Sequence, residues 1–240
     1  MSAFERDGAV IHYDVQGSGF PLLAVAPGGM RSASELWGNA PFNPRGEFRS
    51  DFKVITMDQR NAGASRGPIA ADHGWDTYVD DQLALMDHLG FERFLYIGMC
   101  IGGSYGLGLA QRAPERVAAA VLLQPIGLDD NRDAFHQMFD SWREQIEADH
   151  PEMDVAAWGA MRSNMYDSEF VFSLTREEVA RVQTPLLVLR GNDLYHPAST
   201  SEEIVKIAPN AELVHDWKEG QARTEAIARI RAFFRAHGGV

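Results

Sequence analysis

The chain has 240 residues, 45% hydrophobic and 23% charged, a balance that fits a globular protein and excludes wholesale disorder. Its net charge of −12, with no basic cluster, argues against a nucleic-acid or anionic-membrane partner, and its single cysteine, Cys100, excludes an intrachain disulfide. No apolar run approaches the ~20 residues that cross a bilayer, and Met1–Gly8 holds Glu5, Arg6 and Asp7 rather than a secretory apolar core, so a cytoplasmic protein is expected.

Short β-rich apolar runs alternate with helical patterns, the rhythm of a parallel-sheet α/β fold. Strands are expected at Ala9–Val15, Pro21–Ala26, Lys53–Met57, Phe94–Ile97, Val117–Leu123, Pro185–Leu189 and Ala211–Asp216. Most are nearly continuous apolar runs, as strands covered on both faces require. Gly17-Ser18-Gly19 predicts a turn that makes the first two an antiparallel hairpin. Helices are expected over Thr77–Leu89, Gly103–Ala113, Thr200–Ile207 and Thr224–His237. From Gly127 to Gln183 the alternation stops, and Trp142, Trp158, Phe and Met residues recur at helical spacing among charges. This divides the chain into a core of residues 1–127 and 184–240 and a helical insertion, 128–183, lying over the sheet. Three ordinary packing helices of one domain would write the same pattern.

Gly98-Met99-Cys100-Ile101-Gly102-Gly103 joins the Phe94–Ile97 strand to the next helix. It is a G-x-C-x-G form of the elbow that exposes a nucleophile on a strand-to-helix turn. Residues two before and two after the nucleophile must be small because strand and helix nearly touch there. The N–H of Ile101, at the helix start, would face a reacting carbonyl, and that helix end favours thiolate. A structural cysteine buried at a tight turn is the competing reading.

On these residues the chain resembles the α/β-hydrolase superfamily over nearly its whole length. Asp58-Gln59-Arg60-Asn61-Ala62-Gly63-Ala64-Ser65 resembles the loop after that family's fourth strand, where the arginine braces loops. Ala26-Pro27-Gly28-Gly29-Met30 stands where the family has its oxyanion loop, and Gly191-Asn192-Asp193 resembles the loop carrying the catalytic acid. The resemblance implies eight mostly parallel strands and a helical lid inserted after the sixth. It also implies an oxyanion hole from the N–H groups of Ile101, Gly29 and Met30. Met99, Trp142 and Gln221 are expected to line the substrate pocket.

Three departures from the family pattern shape the expected chemistry. The nucleophile is cysteine, as in the dienelactone hydrolases of that superfamily. Its thiolate would form a thioester that water can open, whereas attack on an alkyl halide or epoxide would leave an inert thioether. Pro27 replaces the oxyanion-loop histidine, which a hole built from main-chain donors can tolerate. Gln221 stands where the family carries its general base, and glutamine cannot accept a proton at neutral pH.

Of the eight histidines, His12, His88 and His237 lie far from the elbow in such a fold. His73, His136 and His150 fall in loop or insertion segments where solvated roles are the default. His196, three residues after Asp193, and His215, near the end of the last strand, are the candidate bases, with neither as the third alternative. Cysteine and histidine together would activate a nucleophile near neutral pH.

The leading reading is a cofactor-free hydrolase that cleaves an ester or lactone of a small apolar or aromatic substrate through Cys100. A catalytically impaired ligand-binding protein and a cofactor-free lyase or cyclase are the alternatives. No dinucleotide fingerprint, phosphate loop or metal-ligand spacing occurs, so neither cofactor nor metal is expected.

Overall fold

The computed structural model describes residues 1–238. Its strands are β1 (Ser2–Arg6), β2 (Ala9–Gln16), β3 (Pro21–Val25), β4 (Lys53–Met57), β5 (Phe94–Met99), β6 (Val117–Leu123), β7 (Leu186–Leu189) and β8 (Ala211–Val214). They form one sheet in the order β1-β2-β4-β3-β5-β6-β7-β8. The β1/β2 and β2/β4 pairs are antiparallel, and every pair from β3/β4 to β7/β8 is parallel. The helices are α1 (Pro44–Phe48), α2 (Trp75–His88), α3 (Ile101–Arg112), α4 (Arg132–Ile146), α5 (Val155–Tyr166), α6 (Arg176–Val179), α7 (Ala198–Ile207) and α8 (Gly220–His237).

The expected opening hairpin does not form between the runs flanking Gly17-Ser18-Gly19, because β4 lies between β2 and β3. The hairpin is instead β1/β2, turned by Asp7-Gly8 with φ of 47° and 74°. Two successive positive φ values match the right-handed twist of the strands, and Asp-Gly favours them. Gly17, at φ 82°, packs against the carbonyls of Arg49 and Phe52 just before β4, so the chain crosses over that strand.

Central strands β3, β5 and β6 are buried at every position. Alternate residues feed two cores. Leu23 and Val25 face the core that holds α2 and α3, while Leu22 and Ala24 face one with Phe48, Phe52, Ile230 and Phe234.

Helices α4, α5 and α6 occupy the stretch between β6 and β7. On α4, Phe135, Phe139 and Trp142 recur at helical spacing on one buried face, and Trp158, Met161 and Met165 do so on α5. Both faces join the α2/α3-side core. They lie over loops at the carboxyl ends of the strands. Trp142 Nε1 donates to Asn61 O at 3.3 Å, Trp75 Nε1 to Met165 O at 2.8 Å, and Ser173 Oγ to Ser104 O at 3.0 Å.

Candidate active site

Cys100 sits between β5 and α3 at φ 62° and ψ −119°. A non-glycine residue there is strained, and such strain persists where the surroundings over-determine it. The surroundings are tight. A Cβ built on Gly102 would lie 2.8 Å from Val25 O, and one on Gly98 would lie 2.5 Å from Gly102 C. Tyr96 Oη donates to Gly102 O at 2.6 Å, and Cys100 N donates to Leu123 O at 3.0 Å. The cysteine side chain is half-buried and turned toward the loop after β7.

That loop supplies the partner. His196 is nearly buried, at 9% exposed. Its Nδ1 lies 2.7 Å from Asp193 Oδ1, and the same oxygen accepts the N–H groups of Tyr195 at 3.1 Å and His196 at 3.2 Å. The imidazole is therefore fixed by an acid on its own loop. Nε2 has no regular hydrogen bond in this resting arrangement and is the ring nitrogen left to interact with the Cys100 sulfur. Such contacts often tighten only when substrate binds.

The electrostatics favour an ion pair. Burial works against ionisation of Cys100, but the neighbouring charge of His196, with the N–H groups of Gly28 and Ile101, outweighs it and holds the thiol below its ordinary value. Burial likewise disfavours a charged His196, yet Cys100 and Asp193 hold its pKa above the usual imidazole value.

The family model described as alpha/beta hydrolase fold matches residues 25–180, from the end of β3 through α6. The chain belongs to this family. Proteins named "Putative carbamate hydrolase RutD" are similar to it. The one from Agrobacterium fabrum is 31% identical over 47% of this chain and 42% of its own length. The one from Pseudomonas savastanoi pv. phaseolicola is 25% identical over 81% of this chain and 84% of its own. The 2-hydroxymuconate semialdehyde hydrolase of Pseudomonas putida is 32% identical over 47% and 39%. The first of these matches thus spans less than half of the relative's length. Among solved structures, the enol-lactonase of Burkholderia xenovorans LB400 superimposes with a TM-score of 0.71 at 19% identity, covering 98% of this chain and 100% of its own.

Against the α/β-hydrolase layout, the remaining expected site residues divide. The N–H groups of Gly28 and Ile101 act on the sulfur. Gly28 and Gly29, at φ 121° and 58°, turn the chain straight into a 3₁₀ turn over Gly29–Arg31. Met99 is buried in the α8-side core instead of a pocket. Trp142 is buried on α4 and borders a groove of about 360 Å³ with Arg31, Asn61, Arg66 and His150.

Gln221 and His215 are not brought to Cys100. Gln221 is exposed on the first turn of α8 and donates to Glu225 at 2.7 Å. His215 is exposed and lines a separate surface groove with Arg190, Trp217 and Lys218. Lys218 Nζ, from the loop after β8, lies 4.0 Å from Asp193 Oδ2. His150 is buried rather than solvated, with Nδ1 2.9 Å from Glu152.

Arg60 makes a two-pronged pair with buried Asp81 at 2.8 and 2.9 Å, bracing its loop as the resemblance implied. Two polar residues near the site escaped sequence reasoning. Gln124, directly after β6, contacts His196, and Tyr166, at the end of α5, has a fully buried phenol without a hydrogen-bond partner. A lone polar residue ending the apolar run Val117–Leu123 was the available signal for Gln124. Nothing local marked Tyr166.

Proposed function

We propose that the chain is a cofactor-free hydrolase that cleaves an ester or lactone of a small apolar or aromatic substrate through a Cys100 thioester. The observation that carries this reading is one alignment. A strained cysteine at a helix start interacts with a histidine held by Asp193, with two main-chain N–H groups directed at the sulfur. The hydrolase names of the relatives support the reaction class.

In the first half-reaction the Cys100 thiolate attacks the acyl carbon, and the carbonyl oxygen takes up negative charge beside the N–H groups of Gly28 and Ile101. As the carbon–oxygen bond breaks, His196 passes its Nε2 proton to the leaving alkoxide. In the second, neutral His196 draws a proton from water, whose oxygen attacks the thioester. The carbonyl reforms as thiolate departs, releasing the carboxylic acid. Asp193 stabilises the imidazolium in each half.

The alternative of an impaired ligand-binding protein draws on Gln221 standing at the family's histidine position, and in this reading His196 serves as the base from another loop. We read residues 128–183 as a lid, and its aromatic face as the reason for an apolar substrate. A cytoplasmic location suits a thiol that must stay reduced.

Intact-protein mass after exposure to a panel of activated esters and lactones tests the proposal. A mass increase equal to the acyl group is expected, mapping to Cys100 and absent in Cys100→Ala. His196→Ala should form the adduct more slowly, since its thiol titrates higher, but should retain what forms because water is no longer activated. Neither adduct nor turnover across the panel would overturn it.

A further inference from the structure

The amide of Gln124 meets the imidazole of His196 with Nε2 at 3.2 Å from Nδ1, the same nitrogen that lies 2.7 Å from Asp193 Oδ1. An imidazole nitrogen can donate its hydrogen or accept one, but not both. A carboxylate only accepts, so Nδ1 must carry the hydrogen. An amide N–H directed at that nitrogen would oppose donor to donor. A half-turn of the amide exchanges its two ends and places the carbonyl oxygen there instead.

Gln124 is a costly residue to keep in this place. Its φ of 39° is a left-handed value, which side chains rarely adopt. Its other amide atom is buried without a partner, and the residue is 6% exposed. Its backbone N–H is held by Leu189 O at 2.7 Å, which ties the end of β6 to the end of β7, where the His196 loop begins. Backbone strain and an unsatisfied polar atom at one residue touching the base point to a role in the site.

We propose that Gln124 is a positioning residue that shares the Nδ1 hydrogen of His196 with Asp193. The three-centre bond locks one tautomer, so that Nε2 alone exchanges a proton with Cys100. It also holds the ring by two acceptors from different strand ends, β6 and β7. This deepens the hydrolase reading, because it concerns the same Cys100–His196 pair, but its test needs no turnover.

The tautomer is read directly. In nitrogen-15 spectra of histidine-labelled wild-type protein, above the pH at which His196 titrates, Nδ1 should be the protonated nitrogen. A proton on Nε2 instead would overturn the inference. Gln124→Met keeps length and loses the acceptor, and should slow iodoacetamide alkylation of Cys100 at pH 7 by roughly tenfold. Gln124→Glu restores an oxygen and adds charge. It should recover the rate and raise the His196 midpoint by about a unit or more, since an opposite charge within ~4–6 Å shifts a pKa by about 1–3 units. A Met variant matching wild type, or a Glu variant with an unmoved midpoint, would overturn it. If these signatures hold while no ester is hydrolysed, the hydrolase reading alone fails.

Discussion

At Cys100 two opposing effects can be separated by one substitution. Burial is the largest influence on the thiol and raises its pKa, and His196 is the chief counterweight. Alkylation of the wild type by iodoacetamide should reach half its maximal rate below pH ~8.5, the free-thiol value. In His196→Ala, burial is left opposed only by the N–H groups of Gly28 and Ile101, so the midpoint should rise above that value. Matching midpoints in the two proteins would separate the histidine from the thiol. Turnover should be bell-shaped with pH. It falls on the acid side as the thiolate is protonated at its lowered pKa. It falls on the alkaline side as His196, with its raised pKa, loses the proton meant for the leaving group. Tyr166 offers an independent check on packing. Its ring is held by Phe135, Phe139, Phe172 and Trp75, while its hydroxyl has no partner. A buried unsatisfied hydroxyl costs about 1–3 kcal/mol, so Tyr166→Phe should melt at or above the wild-type temperature. A fall of several degrees would reveal a bond to the phenol.

The elbow between β5 and α3 is the element most intolerant of added volume. Gly98→Val and Gly102→Val drive a side chain into main chain that cannot yield, and each should cost at least the ~1–3 kcal/mol of overpacking in denaturant unfolding. The brace between Arg60 and α2 is a second such element. Arg60 is 4% exposed and Asp81 fully buried, so Arg60→Ala leaves the carboxylate only the longer contact to Arg6 at 3.5 Å and should cost up to about 3–5 kcal/mol by the same measurement. The sequence showed these elements plainly where one interaction dominates. The apolar runs Lys53–Met57 and Val117–Leu123 are β4 and β6 to the residue, and the glycine spacing of the elbow reflects contact along the chain. β1 was missed because an edge strand, with one buried residue among Glu5, Arg6 and small polar neighbours, carries no apolar run. The misassigned hairpin failed for a related reason, since a glycine turn reports a change of direction and not which strand the chain returns beside. His196 could be read from its spacing to Asp193. Gln124 shows in the sequence only as a lone polar residue after an apolar run and Tyr166 not at all, because their contacts come from elements far along the chain.

Across the whole molecule, α4 and the glycine loop after β3 are joined. Arg31, three residues beyond Gly28, donates to Gln145 at 2.9 Å and Ser141 at 3.0 Å, both on α4, and Met138 of the same helix abuts Gly29. Arg31→Ala should loosen α4 and speed labelling of Cys100 by a bulky maleimide severalfold relative to iodoacetamide. An unchanged ratio of the two rates would show that access does not depend on this tether.

Asp193 and His196 belong to one short loop between β7 and α7, and each donates a main-chain N–H to the other's carbonyl. In the usual arrangement of the family, acid and base come from separate loops, so the last strand and helix must dock correctly before the pair exists. Here the pair is assembled within four residues. Under the proposed mechanism the carboxyl-terminal edge of the sheet contributes neither acid nor base. Gly191–Pro197 holds both on one contiguous segment, and the second contact to the imidazole comes from Gln124 after β6.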